Sequence, residues 1–246
     1  MCRMVGVVFR DRPDMGAFRD LQHVAEVGVV PDQGDEPPGH RDGWGIVSLV
    51  GGSPRYIGRS EREMHMDPSY DSALRDVSSL TGPGIVIAHA RRGSEGSRAL
   101  SNTHPFIREG VAFAHNGTVK GFHPETARAA KGQTDSERLF MALLDRMDEG
   151  KDLGDALRSL IREDVSGHDY TAAIMIASDG KVLHGYRGYS YERDAWYYGL
   201  KVSRCPDIVT ILQESVQGYS GEVGQLDNGE MVTVSLGLEV RKERVL

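Results

Sequence analysis

Three glycine-containing dipeptides do most to limit what this chain can fold into. Gly51-Gly52, Asp179-Gly180 and Asn228-Gly229 each sit beside runs of apolar, largely β-branched residues. A short turn whose glycine accepts positive φ reverses the chain sharply, so the flanking runs pair antiparallel. The runs read as strands over Met4–Phe9, Ile46–Val50, Arg55–Ile57, Gly84–Ala90 and Val111–His115. Further on they cover Tyr170–Ala177, Val182–Gly185, Tyr197–Val202, Ile208–Leu212, Met231–Val234 and Leu238–Arg241. Helical spacing marks Met15–Glu26, Tyr70–Leu80 and Leu153–Glu163. Another helix opens at Thr134-Asp135-Ser136-Glu137, with Leu139, Leu143 and Met147 along one face. Val30–Gly39, rich in Pro, Gly and acidic residues, is a loop. The main helices fall between two strand-rich blocks, which predicts a layered α+β fold rather than a run of βαβ units. No repeat or linker divides the chain, and 246 residues suit one domain, expected to span 1–246.

Composition removes several classes of function. The net charge is −7 and the basic residues are scattered, which argues against a nucleic-acid surface. No apolar run approaches the roughly 20 residues of a membrane helix. The apolar N-terminal stretch is cut short by Arg10-Asp11-Arg12-Pro13-Asp14, unlike a signal peptide. Cys2 and Cys205 are the only cysteines, so neither a disulfide framework nor a Cys-rich metal cage is expected. Cys205 has no motif around it and reads as a structural thiol. A reducing cytoplasm is the natural setting.

Cys2 stands directly behind Met1. Removal of the methionine would put a thiol and a free α-amine on one residue. That amine, with an ordinary pKa of about 7.7–8.0, can serve as a base near neutrality. The plainer alternative is a small buried residue at the start of a strand. Polar groups also collect at the ends of apolar strands: His89 and Arg91, His115-Asn116-Gly117, and Thr134-Asp135. Each has an ordinary explanation. Asn-Gly is a turn dipeptide, Thr-x-x-Glu is a capping box, Arg91-Arg92 suits an exposed pair, and His89 suits a hydrogen-bonded core. Together they supply an oxyanion donor, a cation and a fixed carboxylate beside a thiol.

In their order, Cys2, His89-Ala90-Arg91, Asn102-Thr103-His104-Pro105-Phe106, His115-Asn116-Gly117 and Thr134-Asp135-Ser136-Glu137 resemble the class II glutamine amidotransferase domain. His40-Arg41-Asp42-Gly43-Trp44-Gly45 is similar to its free-standing branch. The resemblance implies an N-terminal-nucleophile hydrolase fold, an αββα sandwich with two antiparallel sheets between helix layers. It also implies site roles. Cys2 is the nucleophile, with Asn116 and Gly117 as the oxyanion hole. Arg91, Ser94 and Asp135 bind substrate, while His40, Asp42, Trp44, His89 and His115 give support. Glutamine or a γ-glutamyl compound is the implied substrate, and a separate ammonia-accepting synthase subunit the implied partner. No metal, cofactor, nucleic acid or membrane is implied. The chain departs from synthase-fused relatives after Arg91, where Arg92-Gly93-Ser94-Glu95-Gly96 replaces Trp-Ala-Thr-His-Gly. Gly93–Ser101 reads either as a lid or as a surface loop. Three other readings stay open. One is a stand-alone γ-glutamyl amidohydrolase, as in ergothioneine synthesis. Another is a metallohydrolase using His40, Asp42, His89, His104 and His115. The third is a non-catalytic binding subunit.

Overall fold

A computed structural model of the chain describes residues 2–31, 34–35, 37–214 and 222–246. Met1, and Asp32, Gln33 and Glu36 of the predicted loop, lie outside the described residues. The elements run β1 (Arg3–Phe9), α1 (Met15–Val27), β2 (Trp44–Val50), β3 (Arg55–Ser60), α2 (Pro68–Ser78) and β4 (Gly84–Ala90). Then come β5 (Phe106–Arg108), β6 (Val111–Val119), α3 (Asp135–Asp148), α4 (Leu153–Ser159), β7 (Tyr170–Ser178) and β8 (Val182–Arg187). The chain closes with β9 (Lys201–Cys205), β10 (Ile208–Leu212), β11 (Glu222–Gln225), β12 (Glu230–Ser235) and β13 (Val240–Arg244).

The strands form two antiparallel sheets. One has the order β11-β9-β10-β1-β4-β2-β3, the other β13-β12-β8-β7-β6-β5. The layers follow from the period-2 alternation of side chains along each strand. Met4, Val8, Ile85 and Ile87 from the first sheet meet Ala112, Ala114, Ile174 and Ile176 from the second. Val5, Val7 and Phe9 face the other way, onto Phe18, Leu21 and Tyr70 of α1 and α2. Phe113, Ala173 and Met175 face Leu139, Leu143 and Leu157 of α3 and α4. The result is the expected α+β arrangement, two sheets between helix layers.

The three glycine dipeptides do turn the chain: Gly51, Gly52, Gly180 and Gly229 all have positive φ. Several boundaries moved for identifiable reasons. α2 begins at Pro68 because the Asp67 carboxylate caps it, accepting from Ser69 N–H, and proline is favoured in a first turn. The helix expected over Leu153–Glu163 is α-helical only to Ser159, and a wider π turn carries Leu160–Asp164. β9 starts at Lys201, so Tyr197 and Tyr198 lie in the preceding turn, both buried. β5 and β11 were not expected at all. Asn116-Gly117 is not a turn. β6 passes through it to Val119, pairing Asn116 with Ile174 and Gly117 with Ala173 of β7, with an irregular register beyond.

Candidate active site

Strand pairing brings the sequence-distant polar residues to one end of the sandwich. β1 and β4 are antiparallel neighbours with Arg3 opposite Ala90, so Cys2 meets the segment that follows Ala90. β10 pairs with the other edge of β1, Val5 opposite Leu212, which delivers Gln213 and Glu214. From the second sheet, alternation along β6 turns Asn116 inward and His115 toward α3. There His115 Nδ1 lies 2.9 Å from Ser136 Oγ. A narrow cleft is lined by Cys2, Arg91, Ser94, His104, Gly117 and Asp135, among others.

Within it the Cys2 backbone nitrogen donates to Asn116 Oδ1 at 2.8 Å, and the thiol lies 3.5 Å from the Arg92 carbonyl. The Asn116 Nδ2 donates to Gln213 Oε1 at 3.2 Å. That bond fixes the orientation of the amide and uses one of the two Nδ2 hydrogens, leaving the second for another acceptor. Gly117 has φ +140°, and a Cβ there would lie 1.8 Å from the Ala172 carbonyl oxygen, so only glycine fits. Asp135 is the first residue of α3, behind the Thr134 cap, where a carboxylate suits the helix dipole. Its Oδ2 accepts from Val119 N–H at 2.7 Å. The capping box is only half formed. Thr134 caps Glu137 N–H, but the Glu137 carboxylate turns to the amides of Lys131 and Gly132.

Arg91 is not part of an exposed pair: it is 3% exposed. Its Nη2 donates to the carbonyls of Glu95 and Gly96 at 2.9 and 3.2 Å, leaving Nε and Nη1 for an anion. Gly93, Ser94 and Glu95 line the cleft. Gly93 N–H donates to Asp42 Oδ2 at 2.8 Å, Ser94 Oγ meets Thr118 Oγ1 at 2.9 Å, and Glu95 pairs with Arg138 at 3.1 Å. Asp42 therefore tethers this segment. Trp44 does not reach the site. It packs edge-on to Tyr70 in the outer layer and donates to Asp67.

Cys2 Sγ and one ring nitrogen each of His89 and His104 lie within 4.8 Å of one another, a soft donor set of the kind that suits zinc. The two imidazoles are already joined, His104 Nδ1 to His89 Nε2 at 3.0 Å. His40, Asp42 and His115 belong to other contacts, so the five residues of the metallohydrolase reading are not gathered into one ligand set. Cys205 ends β9 away from the cleft.

His40, His89 and His104 are enclosed, and burial above all holds their imidazole pKa well below the ordinary value of about 6.5, with neighbouring positive charge adding to it. His115 is lowered by burial too, with Asp135 pulling the other way. A group kept neutral in the folded state but free to protonate when unfolded makes the unfolded state bind more protons in acid. Stability then falls as pH drops below about 6.5, by about 1 kcal/mol per histidine between pH 6.5 and 5.5. For the three strongly shifted rings the expected loss is about 3 kcal/mol, read from urea unfolding across that window. An unchanged urea midpoint would mean the rings are solvated or charged.

Sequence reasoning missed Arg3, Tyr197, Gln213 and Glu214. Arg3 carried a signal, a cation opening an otherwise apolar strand. The others have no local signal, because long-range pairing alone brings them to Cys2.

Comparisons with known proteins give the family and the fold. The family model for class II glutamine amidotransferases matches residues 21–197, and the chain belongs to that family. It is 27% identical over 206 residues to an uncharacterised protein of Methanocaldococcus jannaschii, covering 79% of this chain and 53% of that protein. It is 34% identical over 132 residues to a provisionally named glutamine amidotransferase, YafJ of Escherichia coli K12, covering 49% and 48%. The chain thus spans about half the length of these curated relatives. Among solved structures, the glutamine phosphoribosylpyrophosphate amidotransferase of B. subtilis superposes with a TM-score of 0.63 at 15% identity. That match covers all of this chain and 49% of the other, a likeness of fold. Among the described residues no helix is long and apolar enough to cross a membrane.

Proposed function

We propose that this chain is a glutaminase domain in which Cys2, freed of Met1, hydrolyses the side-chain amide of glutamine through a γ-glutamyl thioester. The observation that carries this reading is the contact between the Cys2 nitrogen and Asn116 Oδ1 at 2.8 Å, made in a cleft shared with Arg91, Gly117 and Asp135. The α-amine takes the thiol proton, and the thiolate attacks the carboxamide carbon. The second Nδ2 hydrogen of Asn116 and the Gly117 N–H hold the developing oxyanion. Arg91 grips the α-carboxylate and Asp135 the α-ammonium. Ser94 borders the bound substrate. The Cys2 ammonium then gives its proton to the departing ammonia, and water cleaves the thioester to glutamate.

Ammonia passes to a separate acceptor enzyme, and the thiol is kept reduced in the cytoplasm. A γ-glutamyl amide or peptide would use the same chemistry with a different leaving amine. Relative rates on glutamine and γ-glutamyl amides distinguish the two substrates.

A glutamine analogue bearing a diazoketone in place of the carboxamide tests the reading. Intact mass should show loss of Met1 and one adduct, located on Cys2 and blocked by excess glutamine. A retained Met1, or no adduct on Cys2, would overturn it.

A further inference from the structure

The carbonyl of Cys2 is approached from two sides. Arg3 Nη1 donates to it at 3.3 Å, and the Tyr197 hydroxyl lies 3.2 Å away. Tyr197 is 1% exposed and its ring lies flat under the Arg3 guanidinium, 3.6 Å from its centre. Glu214 holds that guanidinium from the side at 2.7 Å. Behind the hydroxyl stands His40, whose Nε2 is 3.2 Å from Tyr197 Oη and whose Nδ1 is 3.2 Å from the Val24 carbonyl.

The hydrogens available do not cover these contacts. Val24 O can only accept, so His40 Nδ1 carries the ring proton. Burial keeps the imidazole neutral, which leaves Nε2 a bare acceptor. Burial likewise keeps the phenol protonated. Tyr197 therefore has one hydrogen and two acceptors, His40 Nε2 and the Cys2 carbonyl. Arg3 already donates to the Cys2 carbonyl, so the single hydroxyl hydrogen can serve either acceptor.

We propose that Tyr197, braced by His40, is a positioning residue for Cys2, its hydroxyl shared between His40 and the Cys2 carbonyl so that thiol and amine face the same substrate carbon. The inference rests on Cys2 being the nucleophile. Once Met1 is gone, no preceding peptide anchors Cys2. Its placement then depends on Asn116 at the amine, the Arg92 carbonyl at the thiol, and Arg3 with Tyr197 at the carbonyl. A loose carbonyl lets the residue rotate, and small misplacements of a reacting group are costly in rate.

The test is Tyr197→Phe, which keeps the ring under Arg3, combined with His40→Asn, whose amide nitrogen can still reach the Val24 carbonyl while Nε2 is lost. Glutamine hydrolysis by Tyr197→Phe should show kcat lower on the order of 10-fold with KM unchanged. The double variant should be no slower than the worse single one, because both remove the same brace. Thermal melting and Cys2→Ala accompany them. If Cys2→Ala stays active, the nucleophile assignment falls and this inference with it. If Cys2→Ala is inactive while Tyr197→Phe keeps full kcat, the inference alone is wrong. Equal losses in kcat and substrate affinity with a lower melting point, or additive effects in the double variant, would show a merely structural tyrosine and overturn it as well.

Discussion

Gly117→Ala is expected to cost about 3 kcal/mol or more in stability and on the order of 10²-fold or more in glutamine hydrolysis. Two independent obstacles meet at this position. The backbone φ of +140° is one that L side chains rarely adopt, and the added Cβ would lie 1.8 Å from the Ala172 carbonyl oxygen. That oxygen belongs to the β7 backbone and cannot swing aside, so β6 must peel away from β7 just where Gly117 pairs with Ala173. The same shift would carry the Gly117 N–H, the proposed oxyanion donor, and would drag Asn116 off its contact with Cys2. Urea unfolding and steady-state glutamine hydrolysis measure the two effects separately. A stable and active variant would show that the irregular register beyond Gly117 has slack, and that its N–H is not needed.

How much of this was legible beforehand depends on the range of the interaction. α3 was readable because its cap, its first-turn acids and its apolar stripe all lie within 14 residues of one another. The hairpin turns were readable for the same reason. Asn116-Gly117 misled as a turn because a dipeptide's preference is weak beside ladder pairing. β6 and β7 together align seven residue pairs, and the Asn116 side chain is spent on Cys2 and Gln213 rather than on its own backbone. β5 is three residues long, too short to show a period. The plainer alternative for Arg91-Arg92, an exposed pair, fails because the chain folds back so that the Arg91 guanidinium meets the carbonyls of Glu95 and Gly96. Trp44 sits in the motif that suggested support for the site, but its side chain leaves β2 on the outer face and joins Tyr70 and Met64. Tyr197 and Gln213 illustrate the limit most clearly. Both acquire their partners from contacts with residues about a hundred or two hundred positions away, and no local pattern encodes that.

Asn116→Asp separates the two tasks placed on one amide. The carboxylate keeps an acceptor for the Cys2 nitrogen, now met at 2.8 Å. Gln213 can accommodate the change by turning its own amide over. Its Nε2 lacks a partner now and would donate where Oε1 at present accepts. With hydrogen bonds from Cys2 and Gln213 to its charged form, the new carboxylate is held ionised against the effect of burial. The fold is therefore expected to survive with little change in melting temperature. Catalysis is not. Loss of one oxyanion donor costs on the order of 10²–10³ in rate, and a negative charge in its place repels the oxyanion as it forms, so a fall of about 10³-fold or more is expected in kcat. Binding of glutamine, proposed to depend on Arg91 and Asp135, should change little. If the variant hydrolyses glutamine within about 10-fold of the unaltered protein, Asn116 serves only to orient the Cys2 amine, and the oxyanion must be held elsewhere. If activity falls together with stability, the Gln213 amide has not turned, and the Asn116–Gln213 bond is then a structural tie as much as an orienting one.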